Sequence, residues 1–93
     1  MVTALISGNL RINYDDSSDV LYLSIGEPRP ALTREAEEDD TFLVRTDRDT
    51  GEMVGITILD YYQHFRQLSD LSWLRKWHFP HDVLDFLSSR PAL

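Results

Sequence analysis

The stretch YDDSSDVLYLSIG, residues 14–26, places three carboxylates in its first six positions and then turns apolar at every second residue. Its reading decides the fold. Asp15, Asp16 and Asp19 either hold a hard cation or shape the turn that launches a strand. A calcium-like ion wants six or more oxygen ligands, and no bidentate Glu follows the loop. Asp and Ser side chains bond their own nearby N–H groups, which is the chemistry of a tight connection. The turn is therefore the expected reading, and no metal site is assigned.

On either side of the turn the residues alternate with a period of two. Leu10, Ile12 and Tyr14 share one face, with Arg11 and Asn13 on the other; Leu21, Leu23 and Ile25 oppose Val20, Tyr22 and Ser24. The same rhythm returns in TFLVRTD (41–47) and EMVGITIL (52–59). Between these, DRDTGE puts Gly51 late in a short loop, where a left-handed residue closes a hairpin. Counted as an EF-hand, that loop has its glycine one position early and Ile58 where the last ligand should be. Two hairpins predict a four-stranded antiparallel meander over residues 9–59.

From Asp60 the spacing changes to three and four. Tyr61, Tyr62, Phe65 and Leu68 follow a helical repeat with Asp60 as N-cap. A second short helix is expected from Asp70 or Ser72 to Trp77, and a third over FPHDVLDFLSSR, with Pro80 near its first turn. Val83, Leu84, Phe86 and Leu87 form the apolar stripe of that third helix. The fold class is α+β: one domain, residues 1–93, with helices from the 60–90 segment packed on one face of the sheet.

Tyr14-Asp15, Asp19, Leu21-Tyr22, Gly51, Val54-Gly55-Ile56 and Ile58-Leu59-Asp60 resemble, in order and spacing, the small prokaryotic family called domain of unknown function 2283. Thr57 stands where that family commonly carries an acid, and EAEEDD (35–40) replaces a short turn. The resemblance covers residues 10–60 and implies no established activity. Its members often occur beside small toxin-like proteins, which implies an antitoxin-like binding role.

The net charge of −7 lies entirely in residues 1–59, with twelve acids and five bases; residues 60–93 hold four of each. This disfavours nucleic acid, whose binding rests on Lys and Arg neutralising phosphates. No cysteine is present, and no stretch reaches the ~18 apolar residues of a membrane span, so a cytoplasmic protein without disulfides is expected. No phosphate loop or nucleophile elbow appears, and no cofactor is expected.

The residues singled out for partner binding are Tyr62, Trp73 and Trp77 from the aromatic tail, and Glu37, Glu38, Asp39 and Asp40 from the acidic run. Trp and Tyr anchor interfaces more often than other residues, and acid against base speeds encounter with a basic partner. The expectation is a non-enzymatic protein-binding module, antitoxin-like toward a small basic toxin, and a homodimer through the uncovered sheet face with Tyr22, Arg45 and Thr57. The alternative is a small metal-dependent hydrolase using His64, His78 or His81 with Asp60 or Asp85. It requires at least two of these to converge.

Overall fold

A computed structural model describes residues 2–27, 29–77 and 79–93. Five strands lie between Leu10 and Leu59: β2 (Leu10–Asp15), β3 (Val20–Ile25), β4 (Ala31–Glu35), β5 (Phe42–Asp47) and β6 (Met53–Leu59). A sixth, β1 (Val2–Ser7), completes one edge, and the order across the antiparallel sheet is β1-β2-β3-β6-β5-β4. The predicted hairpins β2–β3 and β5–β6 are present, but they do not form a four-stranded meander. The second hairpin is reversed, so β3 pairs with β6.

Burial explains the order. In β6, Val54, Gly55, Ile56 and Ile58 are all buried, so this strand belongs in the interior of the sheet, where both ladders are paired. In β4 four of five residues are exposed, and it takes the edge. Reaching that edge from β3 means crossing three strand spacings, ~14 Å, which residues 26–30 span easily at ~3.3 Å each.

One face of the sheet carries the core: Leu10, Ile12, Tyr14, Leu21, Leu23, Phe42, Val44, Ile56 and Ile58. The C-terminal segment covers it with Tyr61, Phe65, Leu74, Val83 and Leu87. Among the described residues only one α-helix forms, α1 (His81–Ser89), with Pro80 as its N-cap residue; the other two expected helices are short 3-10 turns at Phe65–Gln67 and Ser72–Lys76. The aromatic tail is mostly cover. Phe42 stacks on Phe65 at 6.1 Å and meets Trp73 edge-on at 5.2 Å, while Tyr61 lies 5.9 Å from Phe65.

Asp19 joins the two parts of the fold. It is 9% exposed and sits in the left-handed region with φ of 57°. Its Oδ1 accepts the Tyr14 hydroxyl at 2.6 Å and the Tyr62 N–H at 2.9 Å; its Oδ2 accepts the Gln63 N–H at 3.1 Å. The Asp19 carbonyl accepts the Tyr61 N–H at 3.0 Å. These bonds correct the expected N-cap. Asp60 has φ of 53°, and its carbonyl accepts the N–H groups of His64 and Phe65. The donors a cap would serve are bound from across the fold by Asp19.

Asp15 and Asp47 shape their own turns, as expected. Asp15 accepts the Ser17 N–H and hydroxyl, and Asp47 accepts the N–H groups of Asp49 and Thr50. Gly51 closes that second turn at φ of 76°.

Burial pushes the Asp19 carboxyl up, but the bonds from Tyr14, Tyr62 and Gln63 outweigh it and hold the group below the usual carboxylate range. Burial and the adjacent carboxylate hold the Tyr14 phenol above its ordinary range. The folded carboxyl is thus the stronger acid. Its contribution to stability is complete above the unfolded value of ~3.9 and drains away as pH falls through the lower folded value. Asp19→Asn is expected to cost about 1.5–3 kcal/mol at neutral pH, the range for bonds to a charged acceptor, because an amide offers one acceptor oxygen where two are used. Urea unfolding at pH 7 and pH 3 checks this, with a shallower loss of stability on acidification in the variant.

Candidate functional site

The acidic run does not stand free in solvent. Glu35 ends β4, and Ala36 is buried, its N–H donating to the Phe42 carbonyl at 2.9 Å. The chain then turns tightly, with the Asp39 N–H on the Ala36 carbonyl and the Phe42 N–H on the Asp39 carbonyl. Asp39 holds this turn from within. Its Oδ1 accepts the Thr41 N–H at 3.0 Å and the Thr41 hydroxyl at 2.6 Å, and its Oδ2 lies 2.7 Å from His64 Nε2. Burial raises the Asp39 carboxyl, but the Thr41 bonds and His64 lower it further, so it stays ionised below the ordinary range.

With Asp39 turned inward, Glu37, Glu38 and Asp40 remain exposed. Glu38 reaches Lys76 Nζ at 3.3 Å. That contact closes one side of a surface groove of about 400 Å³, lined by Arg34, Glu35, Glu37, Glu38, Lys76 and Trp77. Three carboxylates face two cations there, so the groove is net acidic. Trp77 stacks on Phe79 at 6.4 Å, and its Nε1–H is covered with no hydrogen-bond partner among the described residues. An uncompensated donor of this kind is uncommon in a folded protein.

The groove runs beside an open strand edge. Residues pair across β4 and β5 with a constant register, Ala31 opposite Asp47 through Glu35 opposite Leu43. The Ala36 N–H points at β5, so by the alternation of an antiparallel ladder Arg34 and Leu32 do too. The N–H and C=O groups of Thr33 and Glu35 therefore point away from the sheet, toward the space beside β4.

Of the seven residues expected to bind a partner, Glu37, Glu38 and Trp77 meet in this groove. The other four lie elsewhere. Tyr62 packs 5.3 Å from Tyr14 and beneath the Arg66 guanidinium, and its hydroxyl donates to the Leu93 carbonyl at 2.9 Å. Tyr61 is fully buried beside it, its phenol pushed up to about 12 by burial and bonded to the Pro91 carbonyl. Trp73 is half-buried against Phe42, Asp39 is engaged internally and Asp40 is exposed at the turn. Sequence reading missed Arg34 and Lys76, and it missed β4 itself.

The histidines lie apart in their chemistry. His64 faces Asp39, while His81 Nδ1 faces Asp85 at 3.1 Å on the exposed side of α1, the i and i+4 spacing expected. Asp60 is held by its backbone conformation, and His78 lies outside the described residues. No group of three His, Asp or Glu among the described residues could hold a metal ion. No helix of the described residues is long and apolar enough to cross a membrane.

Residues 11–61 match the family described as a protein of unknown function (DUF2283), and the chain belongs to that family. The match includes Tyr14, Asp19 and Tyr61, and so the Tyr14–Asp19 and Tyr61–Asp19 bonds, and it ends just before the Tyr62 and Gln63 N–H groups that the Asp19 carboxylate binds. No curated protein and no solved structure matches the chain.

Asp39→Ala is expected to cost about 1–3 kcal/mol by stranding the Thr41 N–H, whereas His64→Ala should cost under about 1 kcal/mol, as befits a half-exposed pair. Chemical denaturation of the two variants separates the roles: the carboxylate holds the turn and the imidazole only adds to it.

Proposed function

We propose that this member of the DUF2283 family is a non-enzymatic protein-binding module that takes an extended, basic segment of a partner beside β4. One observation carries the reading: an exposed edge strand with outward-facing backbone groups borders a net acidic groove containing Trp77. A partner strand added there would gain main-chain bonds from Thr33 and Glu35. Its alternate side chains would enter the groove.

The charges favour a foreign segment over another β4. Arg34 and Glu35 deter indiscriminate edge-to-edge pairing. Glu35, Glu37 and Glu38 suit Lys or Arg on the incoming chain. A small basic toxin fits this chemistry, and the antitoxin-like role rests on it together with the family resemblance.

A second surface supports self-association. On the sheet face that no helix covers, Tyr22, Thr57 and Leu43 stand in one cross-strand row, with Val20 opposite Leu59 in the next. Tyr22 is 42% exposed and Leu59 37%, an apolar patch at the centre of a sheet that a second copy would bury.

Titration calorimetry against the product of the neighbouring gene, where that product is a small basic protein, is expected to show binding tighter than ~100 μM at low salt. Thr33→Pro removes an N–H that belongs to no ladder bond, as edge strands tolerate. It should weaken that binding at least tenfold, roughly the value of one or two backbone bonds, with unchanged circular dichroism. Absence of binding by the unaltered chain overturns the partner reading. Light scattering addresses the second surface: a dimer is expected, and Leu43→Glu should convert it to a monomer.

A further inference from the structure

We infer that the end of the uncovered sheet face holds a binding site for the phosphate group of a small phosphomonoester, formed by Arg11, Ser24, Arg29 and Arg45. The register creates it. Arg11 pairs with Ser24, Ser24 with Gly55, and Gly55 with Arg45, so two arginines flank two of the smallest side chains in one cross-strand row. Arg45 leans inward over the gap: its Nη1 lies 3.3 Å from the position a Cβ on Gly55 would take. Arg29 enters from the connection after β3.

Together with Gly26 and Glu27 these residues line a recess of about 60 Å³. One water needs roughly 10–15 Å³ of such space, so the recess has room for several waters or one tetrahedral oxyanion. Gly26 and Glu27 also line two adjoining open clefts, of about 180 and 470 Å³, space for the organic part of an ester.

Charge distinguishes this recess from the rest of an acidic chain. Three of its nine basic residues converge here. Arg29 is engaged by Asp47 at 3.4 Å and Glu52 at 3.5 Å, which orients it and offsets its charge. Among the described residues no carboxylate lies within 4 Å of Arg11 or Arg45, so both guanidinium forks are open to a ligand. Glu27 is the one opposing charge in the lining, and it disfavours a ligand with further anionic groups beyond the phosphate. Paired guanidinium donors and a hydroxyl match an oxyanion with several acceptor oxygens. The recess shares no lining residue with the groove beside β4, and the proposal stands independently of the partner reading.

The test is an amide chemical-shift titration of the full chain with inorganic phosphate, ribose 5-phosphate and sodium acetate, at constant ionic strength set with chloride. Saturable shifts at Ser24, Gly26 and Gly55, with affinity on the order of millimolar, are expected for both phosphates. Tighter binding of the ester would show that the adjoining clefts take part, and equal binding that the phosphate alone is read; either supports the site. Arg45→Gln and, separately, the exposed Arg11→Gln should each weaken binding about tenfold or more. Arg75→Gln, on the covered face, should not. Shifts that never saturate, that acetate reproduces at equal concentration, or that survive in the Arg11→Gln chain overturn the proposal.

Discussion

A single buried carboxylate ties this fold together. Asp19 ends the first central turn, yet it bonds N–H groups 43 and 44 residues further along the chain. Hydrogen bonding converts what would be an expensive buried charge into an anchor, because three donors and a low-dielectric setting reinforce one another. From that anchor the rest of the cover follows. The backbone after β6 is fixed in direction, Tyr61 and Phe65 enter the core, and the chain returns over the sheet to α1. Arg66 then donates to the Arg90 carbonyl and Arg90 to the Leu68 carbonyl, fastening the end of the cover to its beginning.

The two faces of the sheet serve different ends. The covered face is closed by aromatic rings in continuous contact, from Tyr62 through Tyr14, Tyr61, Phe65 and Phe42 to Phe79 and Trp77. The other face keeps apolar side chains at its centre and arginines at one end. Acidic side chains gather instead at the β4 edge. A chain of net charge −7 therefore carries a basic recess on one side and an acidic groove at its rim, and its total charge describes neither.

How much of this the sequence revealed depends on which signals were local. Strands β2, β3, β5 and β6 were legible because alternate residues enter a core, and the Asp47 and Gly51 turn was legible because the hydrogen bonds that shape its backbone lie within five residues. β4 was hidden: ALTRE has no apolar period, and it is a strand only because β5 offers it a ladder. β1 was hidden for the opposite reason, being apolar without alternation. The reversed order of the second hairpin could have been read from β6, whose VGITI run suits an interior position better than an edge. Tyr61, Tyr62, Phe65 and Leu68 have helical spacing, but a 3-10 turn meets the same spacing over a short span. For the site, Glu37, Glu38 and Trp77 were found by residue type, whereas Arg34 and Lys76 depended on a groove that only the fold assembles.

The left-handed backbone at Asp19 has a kinetic consequence. A non-glycine residue in that conformation carries strain of about 1 kcal/mol or more, which the surrounding contacts must offset. At Asp19 most of those contacts come from Tyr61, Tyr62 and Gln63, beyond the whole second half of the sheet. Asp19 is therefore expected to lock late in folding, when the far segment arrives, while the Asp47–Glu52 turn, whose backbone bonds are local, is the expected place for the sheet to nucleate. Pulsed hydrogen exchange would read that order directly, as early protection in β5 and β6 and late protection at Tyr62 and Gln63.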